Sequence, residues 1–373
     1  MVQLVFVHGV ATRSGPGYAQ GLANRDALFR KVAFEGREVT ILSPLWGDLV
    51  PSINPKVFGT DEGVRSFSIG APVGDGQTGG LGGAPGPGGA DLAAVARQNP
   101  TVAIDAVFAQ AVGTADSAGV ELTAEDLAAF RLAARAIESD DAPARVGAAA
   151  TDADLARSLG DLGANSFGIG SRLANAVSVV SGRIRNTAST VAFGTVRDFI
   201  SPAVGMFLGD VFAYLQQGRL RDRIQEVVRT DLVQAHEASL SGKGPVVVVA
   251  HSMGGVILSD MLQDLAASGL PADLQIAALF TVGSQPGLFK AVGVLSGSAG
   301  PDGKTPRPAC VGAWFNVFDP IDPLAFRADA LYSGVDDLAF DSVTGLASAH
   351  TTYFSRPQFH ARFRRRLADL SVI

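Results

Sequence analysis

Val246-Val247-Val248-Val249-Ala250-His251-Ser252-Met253-Gly254-Gly255 is the stretch whose reading decides the fold. Four consecutive valines read as a strand buried on both faces, the pattern of a parallel sheet. The run stops at a Ser held between small residues. Val256, Ile257, Met261 and Leu262 then recur on one face of a helical pattern. Strand, tight turn with Ser at its tip, then helix: this is the layout of a nucleophile elbow. The small residues have a physical reason. The Ser backbone is strained, and strand and helix pass so close that a bulky side chain two places before or after Ser252 would clash. Ala250 stands where such turns usually carry Gly, a difference of one methyl. The bland alternative is a Gly-rich turn that merely packs tightly. It does not explain why His251 and Ser252 occupy the tip.

Composition narrows the partners. The chain has 373 residues, 47% of them hydrophobic, and a net charge of -6. A large core is affordable on that length, and a nucleic-acid partner is disfavoured. The one dense basic run, Arg362 to Arg366, reads as a solvated helix face. Cys310 is the only cysteine, so no intrachain disulfide can form. It lies in an apolar run, Ala309 to Phe315, and reads as a core residue. Met1-Val2-Gln3 leads straight into Leu4-Val5-Phe6-Val7 without a basic region or cleavage site, so this segment reads as a first strand rather than a signal peptide. No apolar stretch reaches the length of a membrane span. The expected location is cytoplasmic.

Further strands are expected at Leu4–Val7, Val39–Leu42, Gln275–Thr281, Ala309–Phe318 and near Leu338–Val343. Helices are expected at Asn24–Phe34, Asp91–Val112, Thr123–Ile137, Asp154–Leu162 and Arg219–His236. Thr123-Ala124-Glu125-Asp126 reads as an N-cap with acidic first-turn residues. Ile69 to Ala90 is dense in Gly and Pro and cannot offset its chain entropy by burial. Residues 163–215 are rich in small residues and low in charge. They read either as a helical hairpin packed on the sheet or as a cap whose apolar face lines an acyl pocket or touches lipid. Strands alternating with helices predict an α/β open sheet, with residues 1–50 and 201–373 forming the core and 51–200 an insertion.

A Ser nucleophile needs a base, and the base needs an orienting acid. In an elbow of this kind the chain order is Ser, acid, His. Only His350 and His360 follow Ser252. His350 sits after the expected last strand, as the base should. His360, between Phe359 and Phe363, reads as a helix-face residue. Asp319 and Asp322 both lie in Asp319-Pro320-Ile321-Asp322-Pro323, in the loop after the strand ending at Phe318, and either could be the acid. The oxyanion requires two preorganised N–H groups. These are assigned to Met253 and to Val10, with Gly9 allowing a close approach. His8, Gly9 and His251 flank this position and are the expected substrate-binding residues. Ser284 reads as part of the site floor. No zinc-ligand spacing is present, and no metal or organic cofactor is expected.

Val7-His8-Gly9-Val10, Ala250-His251-Ser252-Met253-Gly254-Gly255 and the Asp-Pro pair at Asp322 together resemble an α/β-hydrolase. More narrowly, three blocks resemble the intracellular phospholipase A1 family with a DDHD domain and its bacterial relatives. They are Gly209-Asp210-Val211-Phe212-Ala213-Tyr214-Leu215, the elbow, and Asn316 to Arg327. The resemblance implies that Asp322 is the acid, since the position of Asp319 is commonly His in that family. It also implies that His350, followed closely by Tyr353 and Phe354, is the base. It covers residues 1–50 and about 205–360 and leaves the insertion unassigned.

The expectation is therefore a serine hydrolase acting on carboxylic, lipid-like esters through Ser252, His350 and Asp322 (or Asp319). An acyltransferase with the same residues is the alternative within enzymes. A catalytically idle interaction or lipid-binding module is the alternative outside them. The expected partner is a small-molecule or lipid ester, with transient membrane-surface contact through the insertion.

Overall fold

The computed structural model describes residues 1–10, 12–51, 91–139, 141–162, 167–187, 209–216, 218–341 and 349–373. The Gly/Pro-rich stretch 69–90 lies outside them, as does most of 163–208. The strands are β1 (Val2–Val7), β2 (Val39–Leu42), β3 (Val246–His251), β4 (Ile276–Val282), β5 (Thr305–Pro306), β6 (Val311–Phe318), β7 (Tyr332–Ser333) and β8 (Val335–Ala339). Six of them form one parallel sheet in the order β2-β1-β3-β4-β6-β8, and β5 pairs with β7 outside it. The protein is thus an α/β fold with a parallel sheet flanked by helices.

The valine run explains itself in this sheet. Val246, Val248 and Ala250 face one hydrophobic cluster, and Val247 and Val249 face another. The first cluster is completed by α8 (residues 209–215), α9 (Arg219–Leu240) and α10 (Met253–Gln263), through Tyr214, Ile224, Val228, Leu232, Val256 and Ile257. The second is completed by Phe29 and Phe34 beyond α1 (Pro16–Leu28), and by Phe359, Phe363 and Leu367 of the C-terminal helix Pro357–Asp369. With helices on both faces, the side chains of Val246 to Ala250 are all buried whichever way they point.

The described part of the insertion is helical: α2 (Leu92–Gln98), α3 (Pro100–Ser117), α4 (Ala124–Glu138), α5 (Asp141–Gly147), α6 (Asp152–Leu162) and α7 (Phe167–Thr187). These helices share their own core around Ile104, Val107, Phe108, Phe130, Leu159 and Leu173, which Leu28, Val32 and Ala361 join. They form a further layer over α1 and the C-terminal helix. A short α11 (Pro286–Ala291) follows β4, and the C-terminal helix is α12.

Several boundaries differ from the expected ones for local reasons. Asp91–Val112 is not one helix. Pro100 lacks an N–H and drives Asn99 out of the helical region, to φ -146°. Asn99 then caps α3 by accepting from Val102 N at 3.2 Å. Asn24–Phe34 is the end of α1 followed by a π-helical turn, Phe29–Ala33. The last strand starts at Val335, just after the turn at Gly334 (φ 76°). At Thr123 a capping box with Asp126 starts α4. No described helix is long and apolar enough to cross a membrane.

Candidate active site

β1 and β3 are neighbours in the sheet, while the chain leaves β1 toward β2 on the opposite side. The strand order therefore reverses at β1/β3, and in open parallel sheets that is where a crevice forms beyond the carboxyl ends. His8 and Gly9 leave β1 there, and Ser252 leaves β3.

Ser252 has φ 51° and ψ -126°, a conformation that costs free energy for any residue with a side chain. It is held there by its neighbours. Its N–H donates to Val282 O at 3.0 Å, continuing the β3–β4 ladder. Its carbonyl accepts from Ser284 Oγ at 2.6 Å. The small residues are needed: a Cβ on Gly254 would lie 2.4 Å from Val7 O, and one on Gly9 would lie 2.6 Å from Ser252 Cβ. Both contacts are closer than packed atoms tolerate, so the β1 loop and α10 can approach only because these side chains are absent.

The loops after β6 and β8 bring two more groups to Ser252. His350 Nε2 lies 2.9 Å from Ser252 Oγ. His350 Nδ1 lies 2.9 Å from Asp322 Oδ2 and 3.2 Å from Oδ1. Since a carboxylate only accepts, Nδ1 carries the imidazole proton and Nε2 presents its lone pair to the hydroxyl. Asp322 is buried. Burial alone would raise its carboxyl, but the hydrogen bond and charge of His350, Leu324 N–H at 2.9 Å and the Tyr353 hydroxyl at 2.9 Å together hold it below its ordinary value. Asp319 makes the same turn contact as Asp322, its Oδ1 accepting from Ile321 N at 3.0 Å, so the contact with His350 Nδ1 is what distinguishes Asp322.

The donors assigned to an oxyanion flank this group. Met253 is the first residue of α10, where helical N–H groups have no partner within the helix. Val10 follows Gly9, whose backbone abuts Ser252. Ser252 itself is fully buried, so hydrogen bonds offered here act with little competition from water.

The two flanking histidines are engaged within the protein. His8 Nε2 accepts from Trp46 N at 3.2 Å and His8 Nδ1 donates to Gly9 O at 2.7 Å. Trp46 Nε1 donates to His8 O at 3.0 Å, and the rings stack with centroids 4.9 Å apart. Burial lowers His8 to about 4, so the ring is neutral near pH 7. His251 Nε2 donates to His350 O at 2.8 Å, and burial, with the charge of His350, lowers it to about 3. Both were expected to touch substrate. Within the protein their ring nitrogens hold the β1 loop and the His350 backbone. His360 is buried, with Nε2 2.8 Å from Phe354 O. Cys310 is buried in the core, and burial pushes its thiol up to about 11.

Sequence reasoning missed the Tyr353 hydroxyl and Trp46. Trp46 ends the exit of β2, and nothing in its local pattern points to His8, which lies 38 positions away in the chain. A cavity of about 210 Å³ opens inside the insertion, lined by Phe108, Val112, Leu122, Phe130 and Leu173 among others. Ser252, Asp322 and His350 are not in its lining. The site is therefore placed by side-chain chemistry rather than by cavity volume. Among the described residues no group of three or more His, Cys, Asp or Glu is arranged to hold a metal ion.

Comparison with known proteins gave no match: no family model, no curated protein and no solved structure matches the chain.

Proposed function

We propose that this protein is a serine hydrolase of the α/β-hydrolase type that cleaves carboxylic esters through an acyl-enzyme. The observation that carries the reading is the continuous hydrogen-bonded chain Ser252 Oγ–His350 Nε2, His350 Nδ1–Asp322, with Ser252 at a positive-φ turn between β3 and α10. Ser252 Oγ attacks the ester carbonyl carbon as its proton passes to His350 Nε2. Asp322 stabilises the imidazolium and fixes its orientation. The N–H groups of Met253 and Val10 take up the charge that develops on the carbonyl oxygen. The C–O bond then breaks, and His350 returns its proton to the leaving alkoxide. A water molecule, deprotonated by His350, attacks the acyl-enzyme; the proton returns to Ser252 and the carboxylic acid leaves.

Lipid-like acyl esters are the favoured substrates, on the resemblance of the three blocks above to DDHD-domain phospholipases. The helical insertion serves as a cap in this reading. Its support is the bond from Gln358 N–H to Asp105 on α3, 2.9 Å long, eight residues beyond His350. Burst kinetics on a p-nitrophenyl ester test the proposal. One equivalent of p-nitrophenol should appear before the steady state, and Ser252→Ala should abolish both phases. Full turnover in Ser252→Ala would refute it.

A further inference from the structure

We infer that α8 is a brace that sets the distance between the two oxyanion donors, with Asp210 and Tyr214 as positioning residues. The inference rests on the acyl-transfer reading above. Asp210 and Tyr214 are four residues apart on α8, so they share one helix face, and both are buried. Each grips a different half of the oxyanion site.

Asp210 grips the loop after β1. Arg13 donates to it through two nitrogens, Nη2 to Oδ1 at 2.7 Å and Nη1 to Oδ2 at 3.3 Å. Arg13 lies three residues beyond Val10, and its Nη1 also donates to Thr12 O at 3.2 Å. The loop is thus pinned on both sides of Val10: by His8 against Trp46 before it, and by Arg13 against Asp210 after it. A two-point guanidinium–carboxylate pair fixes direction as well as distance.

Tyr214 grips α10, the helix that opens with Met253. Its hydroxyl donates to Asp260 Oδ2 at 2.6 Å. Gln225 Nε2, on α9, donates to the same oxygen at 3.1 Å, and Arg221 pairs with it as well. Burial raises the Tyr214 hydroxyl, which therefore stays protonated and keeps donating. Residues 209–215 of α8 thereby join the Val10 loop to the Met253 helix. The transition state requires both N–H groups at a set separation, and misplacement by about 1 Å can cost roughly a hundredfold in rate.

The test compares wild type, Asp210→Asn and Tyr214→Phe for kcat and KM on a p-nitrophenyl ester and for the rate of fluorophosphonate labelling at Ser252. A loosened brace lowers kcat and the labelling rate roughly tenfold to a hundredfold and leaves KM within about twofold, because only the transition state and the tetrahedral adduct use both donors. Folded variants with kcat and labelling rates within about twofold of wild type would overturn the inference. Should Asp210→Asn fail to fold, Tyr214→Phe decides alone, since it removes a single oxygen. A wild type without turnover or labelling overturns the hydrolase reading instead; an active wild type beside unaffected variants overturns only the brace.

Discussion

Tyr353 donates its hydroxyl to Asp322 Oδ2 at 2.9 Å, the same oxygen that lies 2.9 Å from His350 Nδ1. The hydroxyl also accepts from Asp319 N–H at 3.0 Å. One side chain thus orients the acid and satisfies a buried amide. Tyr353→Phe should lower kcat about tenfold and cost about 1–3 kcal/mol of stability, because the Asp319 amide loses its partner. Steady-state kinetics and urea unfolding check the two effects separately.

Asp319 and Asp322 should separate cleanly as asparagines. Asp322→Asn presents an amide to His350 and favours the wrong tautomer, so kcat should fall by ~10³-fold or more. Asp319→Asn keeps the oxygen that caps Ile321 N and should stay within about tenfold of wild type. The reverse ranking would move the acid to Asp319.

Gly254 and Gly9 should fail in different ways. A Cβ on Gly254 meets the carbonyls of Val7 and His8 at 2.4 and 2.8 Å, and backbone cannot step aside. Gly254→Ala should destabilise by about 1–3 kcal/mol. The Cβ of Gly9→Ala meets Ser252 Cβ and Oγ at 2.6 and 3.2 Å. Its effect should fall on kcat more than on thermal stability, which parallel melting curves and turnover assays would show.

Acid should destabilise the protein through neutral buried imidazoles. Burial holds His8 and His360 at about 4 and His251 at about 3. Unfolded, each titrates near ~6.5. At pH 5 the unfolded chain therefore binds about three protons that the folded protein refuses. Asp105 acts in the opposite sense: burial pushes it up to about 7, so it is protonated when folded and ionised when unfolded, near ~3.9. The imidazoles win. Stability falls as pH drops from about 6.5 to about 4, and these four groups together contribute a slope of about 2.7 kcal/mol per pH unit. Urea titrations across this range measure the slope, and His360→Gln should reduce it by about 1.4 kcal/mol per pH unit. An unchanged slope in that variant would place the proton uptake elsewhere.

What the sequence revealed followed from local pattern. Four valines announce burial on both faces, and the Ser between small residues announces a turn where strand and helix nearly touch. The strands around them could be read within a few residues. Pro100 was equally visible, yet its effect was hidden by the alanine-rich pattern on either side. The choice between Asp319 and Asp322 could not be read locally, because two Asp-Pro steps in one loop have the same pattern. It depends on how the loop after β6 meets the residues after β8. The same holds for Trp46 against His8 and for Arg13 against Asp210, pairs 38 and 197 positions apart along the chain. Side chains that touch across such separations leave no periodic trace.

The central claim is that Ser252, activated by His350, is a nucleophile. The most direct measurement is labelling of the folded protein by a fluorophosphonate probe, with the adduct located by peptide mass spectrometry. One adduct per chain on Ser252, formed at least about a hundredfold more slowly in His350→Ala, is the predicted result. A folded wild type that remains unlabelled at Ser252, or labels at the same rate without His350, would contradict it.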